Sequence, residues 1–174
     1  DCLGCKVQKI TLDGGFTCPN RDGTLGRGGC TYCNNQTFSP AFCHRNRPIV
    51  EQMREGIKFF AHKYPQMKYI AYFQSFTNTY APYERLKALF YEAIKPDYIV
   101  GLNIATRPDS ISEECYDYLE DLNKRTDLTI ELGLQTIHDS TAKIINRGYK
   151  LEVFEECVKR LRKYNIETVV HIIN

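Results

Sequence analysis

The chain has 174 residues, of which 43% are hydrophobic and 25% charged, and its formal net charge is +2. This length favours one globular domain, and the composition is unlike that of disordered, collagenous or coiled-coil chains. The longest apolar run, at residues 168–173, is far shorter than the roughly 18 residues of a membrane helix, so no membrane span is predicted. A net charge this small does not by itself indicate nucleic-acid binding.

The pattern of apolar residues predicts strands and helices that alternate along the chain. In chain order the predicted elements are a strand at 7–12, a loop at 13–47, a helix at 49–64, a strand at 69–73, a helix at 83–94, a strand at 98–105, a helix at 111–124, a strand at 128–134, helices at 139–147 and 151–164, and a strand at 166–173. Ser110 is the predicted N-cap of the helix at 111–124. Gly148 is the predicted stop signal of the helix at 139–147. This alternation is typical of parallel βα units and of an α/β fold.

Five such units are fewer than a complete eight-stranded (β/α) barrel contains, since that fold needs about 250 residues. We therefore expect residues 1–174 to form one domain, a partial (β/α) barrel of parallel strands. The chain begins without Met and stops on an apolar strand that no helix covers, so we expect a fragment that is truncated at its C-terminus.

The eight cysteines of the chain are unevenly distributed. Six of them lie in the first quarter of the sequence: Cys2, Cys5, Cys18, Cys30, Cys33 and Cys43. Disulfides would be expected to span the fold, and no apolar signal-peptide core is visible at the N-terminus. The clustering therefore indicates a metal site in a reducing compartment, and we expect a cytoplasmic protein. Cys115 and Cys157 fall within predicted helices and are interpreted as small buried residues.

The loop at 13–47 is long for a compact domain, and loops of this length are usually functional. Within it, eleven residues separate Cys18 from Cys30, and Cys30 and Cys33 form a Cys-x2-Cys pair. Thiolates select zinc or iron–sulfur clusters. A structural zinc site takes four ligands, whereas three cysteines that hold a 4Fe–4S cluster leave one iron open for a further ligand.

The motif in this loop resembles the radical S-adenosylmethionine (SAM) superfamily, since three cysteines follow a first strand and the last two enclose an aromatic residue, Tyr32. The usual spacing in that superfamily is Cys-x3-Cys-x2-Cys, and the wider first gap resembles the branch of the elongator catalytic subunit. Residues 15–24 (Gly-Phe-Thr-Cys-Pro-Asn-Arg-Asp-Gly-Thr) and 28–35 (Gly-Gly-Cys-Thr-Tyr-Cys-Asn-Asn) are most similar to an uncharacterised bacterial subfamily, the YhcC-like proteins. The resemblance covers nearly the whole chain.

Three later segments agree with this resemblance. Residues 74–79 (Gln-Ser-Phe-Thr-Asn-Thr) stand where the superfamily has a Gly-Gly-Glu-Pro-like segment that holds the amino group of SAM. Residues 106–109 (Thr-Arg-Pro-Asp) resemble the elongator branch, except that Ala105 replaces a glutamate that commonly precedes them. Residues 131–136 and 146–149 are similar to a segment of oxygen-independent coproporphyrinogen oxidases, in which a glutamine and an arginine contact SAM.

The resemblance implies a 4Fe–4S cluster and SAM as cofactors. The implied iron ligands are Cys18, Cys30 and Cys33. The implied SAM contacts are Tyr32 near the adenine, Gln74, Ser75, Thr77 and Asn78 at the methionine end, Gln135 and Arg147 toward the ribose or carboxylate, and His171 on the last strand. A parallel sheet suits such a site because its ligands bind beyond the carboxyl ends of the strands.

The resemblance also implies the reaction and the partners. One electron from the reduced cluster would cleave SAM to methionine and a 5′-deoxyadenosyl radical, which would abstract hydrogen from a substrate. An electron donor such as flavodoxin or ferredoxin is implied, and the elongator branch makes tRNA a candidate substrate. The alternative hypothesis is a zinc-stabilised α/β module that binds RNA or protein without catalysis, its zinc site being completed by Cys43 or His44.

Several residues keep two interpretations. Cys2 and Cys5, with Cys43, are either an auxiliary metal site or spare thiols. Arg147 either contacts SAM or compensates the C-terminal end of a helix. Glu131 is either exposed or ion-paired, and His171 is either a hydrogen-bonded core residue or a ligand contact. The basic residues of the cysteine loop either contact RNA phosphate, tune the cluster or are solvated surface: Arg21, Arg27, His44, Arg45 and Arg47.

Overall fold

The computed structural model describes residues 6–34, 39–61 and 67–173. The strands are β1 (Val7–Leu12), β2 (Lys68–Phe73), β3 (Ile99–Thr106), β4 (Asp127–Gln135) and β5 (Glu167–Ile172). The helices are α1 (Pro19–Asp22), α2 (Ile49–Ala61), α3 (Tyr83–Ile94), α4 (Glu113–Asn123), α5 (Asp139–Ile144) and α6 (Leu151–Lys163), and a 3-10 turn lies at Pro108–Ser110. Among the described residues, no helix is both long enough and apolar enough to cross a membrane.

The five strands form one open sheet in the order β1-β2-β3-β4-β5, and each neighbouring pair is parallel. Consecutive strands are therefore joined by crossovers that contain helices, as in a βαβ unit. This arrangement confirms the predicted α/β fold, a partial barrel of parallel strands.

Side chains alternate between the two faces of each strand. One face packs against the helices and forms the apolar core. Each of the first four strands contributes to it, among others, one alternating pair: Ile10 and Leu12, Ala71 and Phe73, Leu102 and Ile104, and Ile130 and Leu132. Residues between them, such as Tyr72, Asn103 and Glu131, point to the opposite face. The sheet therefore presents polar groups on the side that carries the site described below.

Two of the predicted helix boundaries are wrong. Helix α4 begins at Glu113, and its N-cap is Ser112, whose hydroxyl accepts a hydrogen bond from the Cys115 amide at 3.2 Å. Ser110 instead ends the 3-10 turn that starts at Pro108, so it cannot cap the helix. Helix α5 ends at Ile144, well before Gly148, because the chain turns at Asn146, where φ is 52°.

The predicted loop contains a short helix, α1, with Pro19 at its first position and Cys18 at its N-cap. Proline is favoured there because the first amides of a helix have no intrahelical acceptor. Cys115 and Cys157 are buried in the core, as predicted. Cys2 and Cys5 lie outside the described residues.

Candidate active site

A cavity of about 360 Å³ lies between the cysteine loop and the carboxyl ends of β2, β3 and β4. Ligands of parallel α/β sheets bind at this end of the strands. Most of the residues predicted for the site line the cavity: Cys18, Cys30, Cys33, Tyr32, Gln74, Ser75, Thr77, Gln135 and His171. Segments far apart in the sequence therefore meet at one place.

The three predicted iron ligands form no disulfide, and their side chains are partly exposed and line the cavity. Cys30 and Cys33 belong to one tight turn, in which the Cys33 amide donates to the Cys30 carbonyl at 3.1 Å. Two neighbouring side chains hold this turn. Asn20 Nδ2 lies 3.5 Å from Cys30 Sγ, and Arg21 donates to the Cys33 carbonyl at 2.8 Å.

Asn20 also fastens the loop to the far side of the cavity. Its side chain is 2% exposed and donates to the Asn146 carbonyl at 2.6 Å, while the Asn146 side chain donates to the Gly29 carbonyl at 2.8 Å. Gly29 has a φ of 82°, and a Cβ at this position would lie 2.7 Å from Arg21 Nε. The loop therefore depends on glycine at this point to place its thiols.

Three thiols that line one cavity are a donor set that an iron–sulfur cluster can use. In the described ranges, no three or more His, Cys, Asp or Glu side chains converge on one ion position. A cluster takes its thiolates on different irons, so its ligands need not converge on a point. Cys43 is 6% exposed and does not line the cavity, and burial together with Asp13 raises the pKa of its thiol to about 12. Cys43 therefore lies apart from the three thiols that line the cavity.

Residues 74–77 form one wall of the cavity. Phe76 lines it with a φ of 67°, a left-handed conformation that is uncommon for a bulky residue. The predicted contact Asn78 lies behind this wall, fully buried. Its amide donates to the carbonyls of Phe73 at 3.0 Å and Ala105 at 2.7 Å. Asn78 thus joins the ends of β2 and β3 and does not line the cavity.

Gln135 and Arg147 take different places, although a common role was predicted for them. Gln135 lines the cavity at the end of β4 with a φ of 66°. Arg147 is 1% exposed and does not line the cavity. Its guanidinium donates to the carbonyls of Leu134, Thr136 and Tyr149, so its donors are used on the backbone around Gln135. None of these carbonyls ends a helix, so the alternative of helix compensation is wrong.

Arg107, at the end of β3, lines the cavity but is also engaged by protein groups. It pairs with Asp109 at 2.7 Å and donates to the Arg147 carbonyl at 2.9 Å. Its guanidinium lies 5.0 Å from the centre of the Tyr149 ring, which itself lines the cavity. These contacts make a rigid support beneath the carboxyl ends of β3 and β4.

The sequence-based prediction named Glu131 but did not place it in the site. Its carboxylate is 3% exposed and lines the cavity. It accepts hydrogen bonds from Lys9 at 2.7 Å, Tyr72 at 2.7 Å and Asn103 at 2.9 Å, and His171 Nε2 lies 2.9 Å away. Burial alone would raise the pKa of Glu131, but these hydrogen bonds outweigh it and hold the pKa well below its usual range. Each of the five strands contributes one residue to this polar belt.

The belt could have been found as polar residues at positions of the strands that face away from the helices. Of the two interpretations of Glu131, ion pairing is confirmed. The hydrogen bond to Glu131 raises the pKa of His171 above its usual value of 6.5. The pair therefore contributes stability that is complete below about pH 6.5 and is lost as the pH rises through the folded-state pKa of His171.

Glu131→Gln should lower the pKa of His171 toward about 6.5, because the amide keeps the shape of the side chain and removes its charge. Titration of the imidazole signals by NMR measures this pKa. Glu152→Gln, at an exposed position of α6, is the matched control and should leave the pKa unchanged. An unaltered His171 pKa in Glu131→Gln would contradict the pairing.

Comparisons with known proteins agree with this geometry. The sequence model of the Radical SAM superfamily matches residues 18–174, so the chain belongs to that superfamily. It is 46% identical over 172 residues to the uncharacterized protein YtqA of Bacillus subtilis, covering 99% of this chain and 53% of that protein. It is 39% identical over 171 residues to protein YhcC of Escherichia coli, covering 98% of this chain and 54% of that protein. The predicted likeness to YhcC is thereby confirmed.

A more distant relative and a solved structure extend these comparisons. The uncharacterized protein MJ0486 of Methanocaldococcus jannaschii is 33% identical over 171 residues, which is 97% of this chain and 52% of that protein. The archaeal Methanocaldococcus infernus Elp3, solved with an N-terminal deletion, shares the fold with a TM-score of 0.61 at 19% identity, covering 97% of this chain and 38% of that one. The chain spans about half the length of the three curated relatives YtqA, YhcC and MJ0486.

Proposed function

We propose that the chain is the catalytic core of a radical SAM enzyme. Cys18, Cys30 and Cys33 would hold a 4Fe–4S cluster, and SAM would occupy the adjoining cavity. The observation that carries this proposal is that three cysteine thiols line the same cavity as the polar ends of β2 and β4. Thiols of this kind need a reducing compartment, which supports a cytoplasmic location.

When bound, the cluster and SAM supply the difficult chemistry: one electron cleaves SAM reductively and yields a 5′-deoxyadenosyl radical that abstracts hydrogen from a substrate. The protein binds and orients. Gln74, Ser75 and Thr77 offer hydrogen-bonding groups for the methionine end, and Tyr32 offers an aromatic face for the adenine. Gln135 and His171 offer polar groups for the ribose side.

Arg147 and Asn78 are buried behind the residues that line the cavity. Arg147 fixes the carbonyls on either side of Gln135, and Asn78 fixes the ends of the two strands that flank residues 74–77. Both are therefore proposed as positioning residues. As a first candidate substrate we propose tRNA, which is supported by the likeness of the cysteine spacing and of residues 106–109 to the elongator branch.

The test is anaerobic reconstitution with iron and sulfide, followed by iron analysis and EPR spectroscopy after reduction with dithionite. We expect about four irons per chain and an EPR signal that shifts when SAM is added. Stoichiometric zinc that resists replacement, or a signal indifferent to SAM, would overturn the enzyme proposal and favour the zinc-stabilised binding module.

A further inference from the structure

Three arginines lie close together outside the cavity, and we call them the arginine rim: Arg21, Arg45 and Arg85. The guanidinium groups of Arg21 and Arg45 lie 5.7 Å and 5.3 Å from the centre of the Phe76 ring. Arg45 and Arg85 approach the same backbone, since a Cβ on Gly15 would lie 3.8 Å from Arg45 Cβ and 3.0 Å from Arg85 Nη2.

The positive charges of the arginine rim are held in place but not neutralised. Each guanidinium donates to backbone carbonyls: Arg21 to Cys33 at 2.8 Å, Arg45 to Phe16 at 3.1 Å, and Arg85 to Gly14 at 2.9 Å and Gly15 at 3.1 Å. Across the described ranges, none of the three is ion-paired, whereas Arg125 and Arg160 pair with carboxylates. A fixed cluster of uncompensated cations attracts an anionic partner.

The arginine rim lies beside the proposed cluster site and outside the cavity. Phe76 lines the cavity, and the two guanidinium groups over its ring do not. The rim therefore lies on the outer side of the cavity wall, where Arg21 touches the carbonyl of the proposed iron ligand Cys33. A molecule docked there comes close to the cluster site without entering the space where a substrate would react.

We propose that the arginine rim docks an acidic one-electron carrier protein, which delivers its electron past Cys33. This inference rests on the proposed function, because only a redox-active cluster requires such a donor. The reduced carrier loses one electron, the cluster at Cys18, Cys30 and Cys33 would gain it, and no atom or proton is transferred. Electron-transfer complexes use small interfaces, below about 1,200 Å², and complementary charges speed their association.

The experiment measures how fast reduced flavodoxin, an acidic flavoprotein, reduces the reconstituted protein in stopped-flow mixing at low ionic strength. In the double variant Arg45→Glu, Arg85→Glu, the second-order rate constant should fall by about tenfold or more, and added salt should narrow the difference. Arg21 stays unchanged in this variant because it contacts the cysteine loop. Should the reversal prevent folding, Arg45→Gln, Arg85→Gln should give a smaller decrease.

Two controls separate docking from damage to the cluster. Lys124→Glu, Arg125→Glu makes the same charge change at the end of α4, which lies at the opposite end of the sheet from the cavity, and should react as fast as the wild type. Reduced methyl viologen is a small cation, so it should reduce the rim variant as fast as the wild type or faster. Iron content and EPR before mixing establish that each variant carries the cluster.

Each other outcome overturns the proposal. Equal rates with flavodoxin in the rim variant and the wild type would show that the rim does not dock the donor. Reduction by methyl viologen but not by flavodoxin would exclude an acidic donor while leaving the proposed function intact. If single-stranded RNA bound the wild type and not the rim variant while flavodoxin rates were equal, the rim would be a nucleic-acid site. Absence of iron would instead contradict the proposed function itself.

Discussion

Replacing Cys33 with alanine should abolish the stable binding of a four-iron cluster and reduce the iron retained after reconstitution to below about one per chain. Cys33 and Cys30 belong to one turn, and the thiols of both line the cavity together with that of Cys18. A cluster that already has one open iron is held by only two thiolates once the third is removed. Iron analysis and the absorption near 400 nm measure the loss.

Cys43→Ala is the matched control, since Cys43 lies in the same loop but is buried away from the cavity. It should retain full iron and the EPR response to SAM. If Cys43→Ala lost metal as completely as Cys33→Ala, Cys43 would be a ligand and the zinc alternative would gain its fourth sulfur.

Arg147→Ala should lower the free energy of unfolding by about 3 kcal/mol or more in the ligand-free protein. The substitution leaves a void and removes the guanidinium that donates to the carbonyls of Leu134, Thr136 and Tyr149, and a buried group that loses its partner costs about 1–3 kcal/mol. Urea unfolding followed by circular dichroism measures this change. Arg125→Ala removes an exposed ion pair four residues apart on the helix surface and should change stability by less than about 1 kcal/mol.

The same variant separates the two roles considered for Arg147. If its side chain contacts SAM directly, Arg147→Ala keeps its stability and loses only affinity for SAM. If it positions the backbone around Gln135, both decrease. A stable variant that has lost SAM binding would therefore contradict the placement of Arg147 behind the cavity surface.

The fold could be predicted from the sequence because each strand is a short apolar run and each helix has a clear periodicity. Boundaries were less certain where polar residues compete, and Ser112 rather than Ser110 caps α4 because Pro108 starts a separate turn. Most of the cavity lining also followed from motif resemblance. The depth of individual side chains did not, because a motif shows which residues gather but not which of them reach the surface, as Asn78 and Arg147 illustrate.

The place of Glu131 in the site was the largest omission, because its partners come from four strands that are remote in sequence. Lys9 lies 122 residues away, and no local pattern connects the two. A single polar residue in an apolar strand is compatible with either an exposed edge or a buried network. Only the pairing of all five strands decides between them.

The contact between Lys9 and Glu131 also constrains the shape of the sheet. Their strands, β1 and β4, are three places apart, and in a flat sheet with strands about 4.8 Å apart they would be separated by ~14 Å. The ammonium and the carboxylate nevertheless meet at 2.7 Å, so the sheet bends toward the face that carries them. The ion pair thus links β1 and β4, two strands that share no backbone hydrogen bond. The atoms that join the two sides of the curved sheet are therefore also the atoms that place charge inside the cavity.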